Sequence, residues 1–139
     1  VRSRAGLTRW EFALAVLLLG AVAAFWAPRV RVTILRSRRA EVGMVLESLQ
    51  AWAEAHPGGT FGPMPRTPAG VGQDRVPWAG APAGWSPPTE TARGSYFTER
   101  GVEGLVLVGV CDVDGDGVAA RYVATPSGAI RLTTPPDVY

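Results

Sequence analysis

Sixteen consecutive apolar residues, from Phe12 to Ala27, limit this chain more than any other feature. Taken as a helix over residues 7–27, the run reaches about 31 Å at ~1.5 Å per residue, close to one bilayer core. The whole chain has 139 residues, enough for one modest domain besides such a span. Two charges, Arg9 and Glu11, sit at the mouth of the run, where a plain anchor gains nothing from them.

Charge is unevenly placed. Eight of the fourteen basic residues precede residue 40, and Glu11 is the one acidic residue there. Every basic residue is Arg, in a chain rich in Ala, Gly, Pro and Val. That pattern reads as a compositional bias of the coding sequence, and no basic stripe is interleaved with aromatics, so nucleic acid is not an inferred partner. Arg29, Arg31, Arg36, Arg38 and Arg39 follow the span. By charge alone they would hold the body that follows in the cytoplasm; lying on a continuing helix, they could instead snorkel to headgroups.

The basic segment VRSRAG lacks the apolar core of a three-part secretory signal, and the apolar run begins after it. Beyond the span the pattern turns amphipathic. Leu35, Val42, Val45, Leu46, Leu49, Trp52 and Ala53 recur every three to four residues, with Arg38, Arg39, Glu41, Glu47, Gln50 and Glu54 between them. A helix to residue 56 is expected, stopped by Pro57-Gly58-Gly59 and capped by His56. Pro28 lies inside it and should bend or loosen it locally. Residues 57–93 are Pro- and Gly-rich and read as a long loop pinned to a core by Phe61, Trp78 and Trp85. For Trp78 and Trp85, subunit contact is an equal alternative. Strand signals follow at Gly94–Glu99, Glu103–Cys111, Val118–Thr125 and Ala129–Thr133, with short turns that suit an antiparallel meander. Tyr139 should pack the tail onto that sheet.

Catalytic and metal chemistry find little support. One His and one Cys, 55 positions apart, make no ligand cluster and no nucleophilic pair. Cys111 lies in the run GLVLVGVC and reads as a small buried hydrophobe. No enzyme activity is expected. The stretch DVDGDG places Asp112, Asp114 and Asp116 at alternate positions, as a calcium loop does. Its twelfth position is Val123, with no carboxylate, and a strand is expected there. A β-hairpin turn is the principal reading and an oxygen-ligated calcium ion the alternative. No other cofactor is implied.

At the N-terminus Gly6 closes a short basic leader, and LTRWE places Glu11 fifth after it. Gly20 and Pro28 stand fourteen and twenty-two positions beyond Gly6. This set of residues resembles the type IV pilins and pseudopilins. The resemblance implies an α+β pilin-like fold, with a long N-terminal helix packed on a small antiparallel sheet. Its parts would be a leader at 1–6, an assembly helix at 7–28 and a globular domain at 29–139. It implies cleavage by a prepilin peptidase between Gly6 and Leu7 and N-methylation of Leu7. It also gives Glu11, Gly20 and Pro28 roles in assembly. The implied partners are other pilin or pseudopilin subunits, the inner-membrane assembly platform and membrane lipid. The implied location is the inner membrane with the C-terminal domain periplasmic, then a pilus or pseudopilus. This conflicts with the topology that the arginines alone suggest. A single-pass anchored periplasmic binding module that never polymerises is the alternative. A carboxylate next to lipid is costly when isolated; the cleaved amine of a neighbouring Leu7 would offer it an opposite charge.

Overall fold

The computed structural model describes residues 8–56, 61–102, 104–126 and 128–139. Gly6 and Leu7 therefore lie outside the described residues, as do Pro57-Gly58-Gly59. One helix, α1 (Arg9–Ala55), is followed by two short strands, β1 (Val76–Pro77) and β2 (Thr91–Ala92). Four further strands are β3 (Gly94–Gly101), β4 (Gly104–Cys111), β5 (Ala120–Ala124) and β6 (Arg131–Leu132). The chain divides into two compact units within α1, Val1–Ile34 and Leu35–Tyr139.

α1 runs unbroken through Pro28. That residue withholds one backbone donor, which deprives the carbonyl of Ala24 of its helical partner. Over residues 12–27 the helix is apolar around its circumference, and none of the described residues covers it: Trp10, Phe12, Leu17 and Leu19 are each more than 60% exposed. It is long and apolar enough to cross a membrane. Burying each such side chain is worth about 1.5–3 kcal/mol. A row of them left in water would outweigh the stability of a typical small domain, about 5–15 kcal/mol.

The second unit is an α+β domain. β3, β4, β5 and β6 form an antiparallel meander in chain order. The α1 residues Val42, Val45, Leu46, Leu49 and Ala53 are at most 3% exposed and form its core with Tyr96, Leu107, Cys111, Ala120 and Ala124. Gly109 is the point of closest approach. It pairs with Tyr96 of β3 on one side and Tyr122 of β5 on the other. A Cβ at position 109 would stand 2.7 Å from Cγ1 of Val42 and 3.2 Å from Cδ1 of Leu46. The helix thus sits in a trough with a glycine floor and tyrosine walls. Burial raises the pKa of both tyrosines and pushes the Cys111 thiol up to about 12.

The strand meander falls where the sequence pattern puts it, with ends shifted by a few residues. Among its described residues the 57–93 loop holds little regular structure: Val76–Pro77 pairs with Thr91–Ala92. Two expectations need correction. Glu41 is buried, not on the wet face: its Oε2 accepts from Arg75 at 2.7 Å and lies 4.0 Å from Nε of Arg93. Arg39 and Gln50 are also engaged with protein. Arg39 donates to the carbonyls of Pro136 and Val138 at 2.9 and 2.7 Å and covers the Tyr139 ring, so it is not free to snorkel. Gln50 donates to the carbonyls of Thr125 and Gly128.

The loop is pinned as the aromatics suggest. Trp85 is buried and its Nε1 donates to Oγ of Ser48. Trp78 stacks on Tyr96 and meets Trp85 edge-on. His56 follows the last helical residue, with Nδ1 2.8 Å from the carbonyl oxygen of Trp52; as the donor tautomer it caps an otherwise unpaired carbonyl. Replacing Gly109 with Ala should destabilise the domain by about 1–3 kcal/mol, because Val42 is stiff and fully buried and cannot yield. Urea unfolding followed by tryptophan fluorescence measures this, and an unchanged midpoint would contradict the close approach.

Candidate functional site

The candidate site begins at the first turn of α1. The amide N–H of Thr8 donates to Oε2 of Glu11 at 2.6 Å, and the Thr8 hydroxyl donates to the same oxygen at 2.8 Å. In return the Glu11 N–H meets the Thr8 hydroxyl oxygen at 3.4 Å. The Thr8 carbonyl accepts the first helical bond, from Phe12. This is a reciprocal capping box, T-x-x-E, in which two groups at the helix start satisfy each other. The signal stood in TRWE, and it gives Glu11 a role within its own chain. Both bonds from Thr8 end on Oε2. Among the described residues Oε1 accepts none, so the carboxylate keeps one face open while the other holds the helix start.

Gly20 and Pro28, the other described residues of the proposed set, do not gather around Glu11. Gly20 is nine positions on, about two and a half turns, so it faces the opposite side of the helix. A Cβ added there would meet nothing within 4 Å. Pro28 lies further along α1. These positions form no pocket; they mark different points along one exposed apolar surface. Arg9 is one residue after the cap and is exposed.

A second cluster closes the hairpin between β4 and β5. One carboxylate oxygen from each of Asp112, Asp114 and Asp116 lies within 4.8 Å of the others. Asp114 Oδ1 is shielded from solvent and has no hydrogen-bond partner among the described residues. Such oxygens could hold calcium, which takes ligands at about 2.3–2.6 Å. The same groups also build the turn. Asp112 accepts from the N–H of Gly115 at 2.7 Å and of Gly117 at 3.1 Å, and Asp116 accepts from Val118 at 2.7 Å. Gly115 and Gly117 have φ of 73° and 85°, a left-handed backbone that glycine adopts freely. The twelfth position of the calcium pattern, Val123, lies in β5, where an EF-hand would have a helix.

No family model, curated protein or solved structure matches this chain. For the acidic turn, Asp112→Ala should cost about 1–2 kcal/mol by orphaning two backbone donors. Asp114→Ala, which removes no listener for a backbone N–H, should cost less. Thermal unfolding of the two variants checks the order, and the reverse order would contradict the turn account.

Proposed function

We propose that this chain is a structural subunit of a type IV pilus or type II secretion pseudopilus, cut after Gly6 and assembled through α1. One observation carries the reading: Gly6 and Glu11 stand at pilin spacing in the sequence, and Glu11 opens a helix whose apolar run is uncovered by any of the described residues. Cleavage leaves a positive amine on Leu7. The open Oε1 of Glu11 in one copy accepts that amine from the next, while Oε2 keeps its own helix start closed. The ion pair sets axial register, and the apolar surface of residues 10–27 supplies the contact area. Assembly moves that surface from lipid to protein, so little of it meets water. On this reading the leader stays on the cytoplasmic side and the domain is periplasmic.

The alternative, an anchored binding module that does not polymerise, draws on a cleft of about 130 Å³ in the second unit. Leu49, Trp52, Phe61, Met64, Pro65 and Leu107 are among its lining residues, and Nε1 of Trp52 is buried without a partner among the described residues. Two substitutions separate the roles of Glu11. Glu11→Gln can keep the capping box, since Gln also serves at that position, but it loses the charge. Thr8→Ala breaks the box and keeps the charge. Sheared filament yield should fall at least tenfold for Glu11→Gln and change little for Thr8→Ala. Normal yield from Glu11→Gln would sink the pairing. Wild-type chain that forms no filaments, while binding a small apolar ligand in the cleft, would favour the anchored module.

A further inference from the structure

The part of α1 in the second unit carries a charge pattern on the face turned away from the sheet. Arg36, Ala40, Glu47, Ala51 and Glu54 are exposed and Gly43 is half-buried. Steps of four, three, four, four and three residues keep them on one stripe. The stripe is basic at its start, acidic at its end and small between. Arg36, Glu47 and Glu54 form no ion pair among the described residues, whereas Glu41 and Glu99 are paired with Arg75 and Arg121. Among the described residues the stripe's charges are thus unpaired.

Consider two copies with their spans in one bilayer. Both helices then run the same way at the same height. Side by side, Arg36 faces Arg36, Glu47 faces Glu47 and Glu54 faces Glu54, and every opposed charge repels its equal. Now raise one copy by eleven residues. Eleven residues are close to three whole turns, about 16 Å, so the same face still looks across. Arg36 then meets Glu47, Ala40 meets Ala51, and Gly43 meets Glu54. The raised copy's Arg36 then faces its opposite and the lower copy's Glu54 faces a glycine, and the small residues allow the backbones to approach.

We propose that this stripe is a contact between copies of the chain offset by three helical turns, with Arg36 of one copy on Glu47 of the other. This rests on the assembly reading above and adds a selection step to it. The stripe disfavours association of copies level in the membrane and favours it once one has been lifted. Exposed ion pairs add little affinity, so the pattern acts by choosing register and excluding the level alternative. The offset differs from the four-residue offset of Leu7 on Glu11, so the two contacts join different pairs of neighbours in one array.

Cysteines at the exposed alanines test the offset without touching a charge. The native Cys111 is fully buried and stays silent. Full-length Ala40→Cys and Ala51→Cys chains are expressed separately and together, and filaments are oxidised before denaturing electrophoresis. Disulfide dimer should be at least tenfold more abundant in the mixed filaments than in either alone. Equal dimer from Ala40→Cys alone would show level packing and overturn the proposal, as would filaments with no dimer in any sample. As a second arm, Arg36→Glu and Glu47→Arg should each lower filament yield, and the double variant should recover it. Normal yield from both single variants would overturn the offset while leaving the assembly reading intact. Failure of the unsubstituted chain to form filaments would remove the assembly reading, and this inference with it.

Discussion

One helix has to be satisfied in two environments. From Arg9 to Ile34, α1 exposes apolar side chains on every side and needs lipid or protein around it. From Leu35 to Ala55 the same helix is amphipathic, and Val42 and Leu46 lose all contact with water over Gly109. The sheet is arranged for that contact, with Tyr96 and Tyr122 on either side of the glycine and the long loop held over it by Trp78 and Trp85. Arg39 and Gln50 then use the flanks of the helix to hold backbone carbonyls of the tail and of the turn after β5.

Much of this was legible in the sequence because it rests on local periodicity. The three-to-four-residue repeat from Leu35 to Ala53 picked out the buried face, and alternation with short turns picked out the meander. Glu41 was misplaced for a physical reason. It stands at the edge of the apolar stripe, where a charge reads as solvent-facing, and its burial depends on Arg75 and Arg93, which lie 34 and 52 positions away. Long-range pairing of that kind leaves no periodic trace. The β1–β2 ladder was missed similarly, since two-residue strands with a proline carry almost no strand signal. The capping box is different: TRWE carries it in full, as Thr8 and Glu11 three positions apart.

That local role changes how Glu11 should be understood. A carboxylate at the mouth of an apolar helix need not be idle until a partner arrives. It closes the helix start with Oε2 and presents Oε1, so its position is fixed before any second copy is met. Preorganisation of this kind lowers the ordering cost of a later contact. The stripe around Gly43 extends the same logic to the second unit. Arg36 and Glu47, unpaired among the described residues, are spaced so that a copy three turns displaced would bring one onto the other.

The central claim is that the mature chain begins at Leu7, because the proposed pairing needs the amine that cleavage would create there. Mass spectrometry of the N-terminal peptide, from chain extracted out of the membrane fraction, tests it directly. The account predicts a peptide beginning with N-methylated Leu7. A membrane-extracted chain that still carries residues ahead of Gly6 would contradict it.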